Sequence, residues 1–441
     1  MTRLPYLLVS VALSALLTGC KLGPDYERPD FGAPEDYAQQ LDQGAALANL
    51  PWWEVFDDPQ LVELVKVALQ ENNELAIATA RVEEVRARLG FTRADYYPQV
   101  DGVLQGERGN RQEQFFPDSG IQNQFVLSAQ ASYEVDLFGR VRRSNEAAKA
   151  DLLATEAARQ TVVTALIADV ASTYFLLRDL DARHEIAERT LKTRQHSTNI
   201  IRERFNKGTV PMLDVNQAEI QEADSAAALA AIERQQVLTE NLLSILLGRN
   251  PGPVLRGREL VDQTLVPAVP AGLPSELLER RPDLRQAEQS LTAQTARIGV
   301  AEALRWPSLS LTGSIGLISD EFSDLLDADD IWSVDASLLA PLFNGGRNKR
   351  RVDIEVALAQ QSLEAYELAV LSAFAEVEDA LAAIRTLEDE YAARAMQLAA
   401  ARSASTLSRA RYDGGVTSYL EVLDSERSLF TAEIAASQVR R

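Results

Sequence analysis

The chain has 441 residues, with 65 acidic against 44 basic side chains and a formal charge of −21. So acidic a balance argues against nucleic-acid binding and against recruitment to an anionic lipid surface by charge. One cysteine allows no disulfide framework.

Arg3, an apolar run from Leu7 to Leu17 and then Leu17-Thr18-Gly19-Cys20 have the form of a secretory signal ending in a lipobox. The run is too short to span a bilayer as a helix. Residues 1–19 are therefore expected to be removed, leaving Cys20 as a new N-terminus with a covalent lipid; no other cofactor is expected. Lys21, where an acidic residue would favour inner-membrane retention, points to outer-membrane delivery. No later stretch approaches a spanning apolar helix, so any crossing of a membrane must be made by strands.

The next informative segments alternate with period two. From Ile121 to Leu137 the odd positions read Ile121, Asn123, Phe125, Leu127, Ala129, Ala131, Tyr133, Val135 and Leu137, and the even ones are mostly Gln, Ser, Glu and Asp. Leu309 to Leu317 and Trp332 to Leu338 alternate in the same way, and a shorter glycine-containing run covers Gln99 to Gln105. These are four strands in two hairpins. One polar and one apolar face suits a half-buried soluble sheet or a barrel wall between lipid and water. The polar face is too uniformly Ser, Gln and Asp to line a dry core, which favours the barrel. The hairpin loops, Glu107 to Gly120 and Ser319 to Asp330, are polar and acidic, as expected outside the cell.

Each second strand is followed by a segment without a breaker. Neither Gly nor Pro occurs from Arg140 to Lys207 or from Arg347 to Asp413, which reads as two helices of roughly 100 Å at about 1.5 Å per residue. Val163, Ile167, Val170, Tyr174 and Leu177 mark the packing seam of the first. Each helix ends in a turn, at Asn206-Lys207-Gly208 or Asp413-Gly414-Gly415, and a second helix follows. Pro211 suits the first turn of one, and Ser418-x-x-Glu421 is a capping-box pattern in the other.

These parallels are a duplication. Arg204-Phe205-Asn206-Lys207-Gly208 through Val215 matches Arg411-Tyr412-Asp413-Gly414-Gly415 through Val422 at an offset of 207 (411 − 204), and Arg88-Leu89-Gly90 recurs as Arg297-Ile298-Gly299 at 209 (297 − 88). So long a period indicates one fold with internal pseudo-symmetry, not a solenoid. The expected organisation is a lipid-anchored tether over 20–70, repeat 1 over 71–247, a linker over 248–272 and repeat 2 over 273–441. Four strands close around nothing, and the smallest transmembrane barrels need about eight. The chain must therefore share a barrel between subunits, and three copies give twelve strands.

Leu17-Thr18-Gly19-Cys20, Trp52-Trp53 with Phe56, Asp58-Pro59 and Leu61, Arg281-Pro282-Asp283-Leu284-Arg285, Pro341-Leu342-Phe343-Asn344-Gly345-Gly346-Arg347, and Arg411-Tyr412 with Gly415-Val416 occur in this order. In these motifs the mature chain resembles the outer-membrane factor (TolC-like) family, in its OprM/NodT-type branch of outer-membrane efflux lipoproteins. The resemblance implies an α+β membrane protein of two internal repeats. It would be a homotrimer with a twelve-stranded outer-membrane β-barrel, four strands per chain, continued by a long periplasmic α-helical barrel. An equatorial belt would take the tether and the linker, with Trp52 and Trp53 as packing residues. The function implied is a passive gated exit duct for small molecules, of the kind that contributes to multidrug resistance. Its partners would be a periplasmic adaptor (membrane-fusion) protein, an inner-membrane efflux pump of the resistance-nodulation-division type, and outer-membrane lipid.

The resemblance also places a gate on the helix after the second tip turn, at Leu420 and Asp424, four residues and so one face apart. From the residues alone, an aspartate in the first turns of a helix is accounted for by the helix dipole. The first repeat has Leu213 and Gln217 there, so an acidic ring would come from one repeat only. A second site is the pair of tips. Gly208 and Gly415 suit left-handed turn positions, and Arg204, Phe205, Thr209, Arg411, Tyr412, Val416 and Thr417 would sit exposed at the end of a long rod, where a partner must bind. No catalytic constellation is found: His184 and His196 do not share a face, and no phosphate loop occurs. Two other readings are a type I protein-secretion duct and a lipid-anchored coiled-coil scaffold without a pore.

Overall fold

The computed structural model describes residues 20–32, 53, 56–111, 120–263 and 279–441. The signal segment 1–19, Trp52, part of the first hairpin loop and the end of the linker lie outside the described residues. The chain divides into two compact units, one of Met1–Gly32, Thr79–Ala158 and Glu279–Val370, the other of Ala33–Ala78, Arg159–Leu278 and Leu371–Arg441.

In order, the elements are α1 (Pro59–Glu71), α2 (Asn73–Ala94), β1 (Gln99–Arg111), β2 (Gly120–Val135), α3 (Arg140–Asn206), α4 (Met212–Leu246), α5 (Pro282–Ala303), β3 (Ser308–Ser319), β4 (Asp330–Leu339), α6 (Arg347–Asp413) and α7 (Tyr419–Arg440). The two breaker-free segments form helices of the same length, 67 residues each.

The first unit holds one antiparallel sheet in the order β1-β2-β3-β4. Its register puts Val135 opposite Leu309 and Leu309 opposite Leu338, so the apolar positions of neighbouring strands share a face. Val100, Leu104, Ile315, Trp332, Val334 and Leu338 on that face are all exposed. A contiguous apolar surface of this kind is not stable against water and has to be covered. No described strand pairs with the outer edges of β1 or β4, and an open edge is itself a template for further pairing.

Two expectations need correction here. β1 does not stop at Gln105 but runs to Arg111, because pairing of Asn110 with Ile121 and of Gly109 with Gln122 carries the ladder through its glycines and charges. Cross-strand pairing overrides local propensity. The second hairpin loop is less polar than its sequence, since Phe322–Asp327 forms a 3₁₀ turn that buries Leu325 and sets Phe322 edge-on to Phe125, 5.5 Å between centroids.

The second unit is built on helix packing. Asp58 caps α1, its Oδ1 accepting from the Gln60 N–H at 2.9 Å, and Pro59 follows in the first turn. Leu61, Val65 and Ala68 of α1 pack on Ile167, Val170, Tyr174 and Leu177 of α3 and on Leu243 and Leu247, with Trp53, Phe56 and Val163 at the margin. The expected α3 seam is thus the core seam. By length and composition alone, one stretch of α3 could also cross a membrane. This departs from the expectation that no later stretch would approach a spanning helix; 39 % of the stretch is buried, and Ile167, Val170, Tyr174 and Leu177 of α3 are core residues. Linker residues Val254 and Leu260 are buried with the helices.

Asp58 is fully buried. Its Oδ2 accepts from the Tyr174 hydroxyl at 2.7 Å and from Gln263 Nε2 at 2.7 Å, and the Tyr174 oxygen accepts from the Gly257 N–H at 3.0 Å. Burial alone would raise the Asp58 pKa; the hydrogen bonds from Tyr174, Gln263 and the Gln60 and Leu61 amides outweigh it and hold the carboxyl below its ordinary value.

Candidate functional site

The two tips close by the same hydrogen bonds. Gly208 and Gly415 have φ of 74° and 71°. The Gly208 N–H donates to Phe205 O at 2.8 Å and the Thr209 N–H to Arg204 O at 3.0 Å; Gly415 to Tyr412 O at 3.0 Å and Val416 to Arg411 O at 2.9 Å repeat the pattern. This is the Schellman arrangement, which satisfies the last helical carbonyls and requires a left-handed residue where glycine stands.

The helix starts that follow differ from expectation. Pro211 is the N-cap of α4 rather than its first helical residue, which leaves its fixed φ just outside the helix. Ser418 caps α7 but its hydroxyl makes no cap bond. Glu421, expected to complete a capping box, instead accepts from the Thr417 hydroxyl and pairs with Arg411 at 3.3 Å. A full charge offers the carboxylate more than one backbone N–H does.

The tips form a small core. Ile201, Val215, Ala218, Tyr419, Val422 and Leu423 are buried together, with Val210 and Tyr412 packed on them. Phe205, Gly208, Thr209, Arg411, Gly415 and Val416 are exposed, whereas Arg204, Tyr412 and Thr417 are half-buried. For these three the expected exposure is corrected: the Arg204 guanidinium lies over the Tyr412 ring, 5.1 Å from its centroid and 3.8 Å from Asp413, and Tyr412 leans on Tyr419 at 5.4 Å. The tip has its own apolar content, and these side chains supply part of it.

α7 buries Tyr419, Val422 and Leu423 and thereby turns Leu420, Asp424 and Arg427 outward. Leu420 is 60 % exposed. Asp424 is not a solitary carboxylate, since Arg427 holds it at 2.6 Å one turn on. In the first repeat Leu213 is likewise exposed and Gln217 half-buried.

Sequence reasoning missed what holds this helix. Glu426 of α7 is clasped by Arg194 of α3 at 2.9 Å and by Arg409 of α6 at 2.5 Å. Two turns along, Glu433 is clasped by Arg189 at 3.1 Å and Arg402 at 3.5 Å. Arg194 is buried, and burial, with the Glu426 charge nearby, pushes the Tyr419 phenol up to about 12. The signal was present: glutamates seven apart on α7 and arginines seven apart on α6 lie on one face of each helix.

Cys20 is exposed. The strap that follows it is pinned to the first unit. Buried Arg143 donates to Leu22 O and Gly23 O, both at 2.8 Å, and pairs with Asp25 and Glu146 at 3.0 Å each. Arg28 makes a two-pronged bond to Glu288 at 2.9 and 2.8 Å, and Phe31 meets Tyr366 edge-on at 5.0 Å. Leu22 N–H donates to Phe138 O at 3.4 Å, so Cys20 sits where β2 gives way to α3. Of the histidines, His184 lies 3.6 Å from Glu233, and among the described residues no cluster has the makings of a metal site.

The family model for outer membrane efflux proteins matches residues 64–249 and 273–441, the two halves of the duplication. The chain is 35 % identical over 435 residues to the cation efflux system protein CusC of Escherichia coli O157:H7, covering 97 % of this chain and 93 % of that protein. It is 36 % identical over 428 residues to the solvent efflux pump outer membrane protein SrpC of Pseudomonas putida, covering 95 % and 91 %. Among solved structures it is similar to the open state of the MtrE outer membrane channel of Neisseria gonorrhoeae, with a TM-score of 0.85, 34 % identity, and coverage of 96 % of this chain and 95 % of that one. The chain belongs to the outer membrane efflux protein family.

Proposed function

We propose that three copies of this chain form the outer-membrane exit duct of a tripartite efflux system. The observation that carries the reading is the sheet: four strands, apolar and exposed on one face, polar on the other, with both edges open. Pairing β4 of one copy with β1 of the next satisfies the edges, and lipid covers the apolar face. The duct lies in the outer membrane of a Gram-negative bacterium, with its helices in the periplasm. It receives small molecules from a periplasmic adaptor and an inner-membrane pump.

The chain does no chemistry in this reading; the pump supplies the energy and the duct a path. Leu420 and Asp424 ring the closed end, each Asp424 balanced by its own Arg427, so that replacing the aspartate in every copy leaves three uncompensated cations around the axis. Residues 204–209 and 411–417 receive the adaptor, and a lipid on Cys20 holds the strap at the inner surface of the membrane. Cation efflux for CusC and solvent efflux for SrpC mark the breadth of cargo among relatives.

The test is single-channel conductance of the lipidated protein in a planar bilayer, with its mass in detergent determined alongside. A trimer with small, flickering conductance is expected. A monomer that never conducts would return the anchored scaffold to favour.

A further inference from the structure

The duplication extends to the seat under the strap. In the first unit that seat is made by Gly139 and Arg143 at the start of α3 and by Gly299 of α5. The strap crosses Gly299 backbone to backbone: a Cβ on Gly299 would lie 2.6 Å from Leu22 O, and one on Gly23, whose φ is 82°, would lie 2.4 Å from Gly299 Cα. α3 and α5 are neighbours because β2, which leads into α3, pairs with β3, which follows α5.

Every one of these groups has a counterpart in the other repeat. Gly139, with φ of 79°, becomes Gly346, with φ of 83°, 207 residues on. Arg143 with its Glu146 becomes Arg350 with its Asp353, again 207 on and again paired at 3.0 Å. Gly299 becomes Gly90, at the offset of 209. Within one chain the occupancy is opposite. The Arg143 side chain is 1 % exposed and that of Arg350 79 %. Among the described residues nothing lies within 4 Å of a Cβ placed on Gly90 or Gly346, and Phe91 beside Gly90 is 82 % exposed.

α6 follows β4 as α3 follows β2, and α2 precedes β1 as α5 precedes β3. Resting on the proposed closure of β4 against β1 of the next copy, α6 therefore stands beside α2 of that copy. We infer that Gly346 and Arg350 of one copy and Gly90 of the next form a second strap seat at each subunit boundary, which binds an extended acidic peptide segment of a periplasmic partner.

The chemistry of the occupant is copied from the strap: two successive carbonyls for the guanidinium, a glycine against Gly90, and a carboxylate two residues later, as in Leu22-Gly23-Pro24-Asp25. The second seat adds charge. Arg347, Lys349 and Arg351 are exposed around Arg350 and, among the described residues, make no ion pair, so an acidic segment gains by docking there. Only the first part of the seat is duplicated, because Glu288 and Tyr366, which hold residues 26–31, become Thr79 and Arg159 (288 − 209 and 366 − 207). The bound segment is correspondingly short.

The probe is a fluorescent peptide copying residues 20–30 with its thiol blocked, titrated by anisotropy into the full-length protein after its trimeric mass and conductance have been established. Saturation at one peptide per subunit is expected. Arg350→Glu should weaken binding about tenfold or more, the loss carried by one charge-assisted contact, and Gly90→Leu should fill the seat and abolish binding. Glu288→Gln loosens only the resident strap and should leave peptide affinity unchanged. A conducting trimer that binds no peptide overturns the second seat and leaves the duct standing. Binding that follows Glu288 and ignores Arg350 shows exchange with the resident strap and overturns it too. A non-conducting monomer removes the duct, and with it the boundary on which the seat depends.

Discussion

The two tips share a backbone and differ in what surrounds it. Both turn through a left-handed glycine with the same pair of hydrogen bonds. Beyond the turn, α4 runs for 35 residues and α7 for 22, and only α7 carries Asp424 outward and Glu426 and Glu433 inward. Duplication preserved the punctuation, because few residues can occupy a left-handed position or end a helix in that way. The side chains on the following helix were freer to diverge. The pair of Glu426 with Arg409 is itself duplicated, as Glu219 with Arg202 at 2.7 Å, but that pair is exposed and Glu426 is not; Asp424 and Glu433 have the uncharged Gln217 and Ala226 as counterparts.

The largest expected effect is on the clasp. Glu426→Leu leaves buried Arg194 without a counter-charge, a loss of about 3–5 kcal/mol. Limited proteolysis should then cut the second tip while the first stays protected; equal protection of both would mean that Glu426 does not hold α7.

Next comes the buried cap of α1. Asp58→Asn should cost about 1–3 kcal/mol by leaving buried partners unsatisfied. Its pH dependence follows from the sign of the shift: a carboxyl held below its unfolded value contributes stability above pH ~3.9 and loses it as the pH falls through the folded pKa. Melting temperature should therefore fall more steeply with acid in the wild type than in the variant. Parallel curves would show that Asp58 is not the responsible group.

Gly208→Val and Gly415→Val force a branched residue into the left-handed region at about 1–2 kcal/mol each. The stability losses should match, since the two turns match. Efflux, measured in cells carrying the adaptor and pump, should separate them if one tip makes more of the contact, and full efflux in both would exclude the tips as the docking surface.

The smallest change in stability belongs to Asp424→Ala, below about 0.5 kcal/mol for an exposed pair on one helix. Its effect should appear in conductance, raised at rest relative to wild type, with Gln217→Ala in the first repeat silent. If both variants conduct like wild type, the closed end lies elsewhere.

The elements were legible because they are periodic or punctuated. Alternation from Ile121 to Val135 required a strand, sixty-odd residues without Gly or Pro required a helix, and Gly208 and Gly415 required turns. The reading faltered where a partner far along the chain decides. Gln99 to Arg111 is too rich in glycine and charge to announce a strand beyond Gln105, and β2 supplied the remainder. Glu421 looked like a capping residue until Arg411 took it.

The sequence by itself determined the duplication, the alternation of strand and helix, the open-edged count of four strands that calls for other copies, and the family. Each of these is carried by local repetition or by residue types with few alternative uses. Only the tertiary structure decided that Arg143 lies beneath the strap while Arg350 stands in the open, that Glu426 joins three helices, and that Asp424 has Arg427 at its side. Those outcomes depend on which helix faces and strap residues are brought together over long stretches of chain, or on a rotamer at one turn's distance. The seven-residue spacing of Glu426 and Glu433 marks a face of α7, but only the packing decides what that face meets.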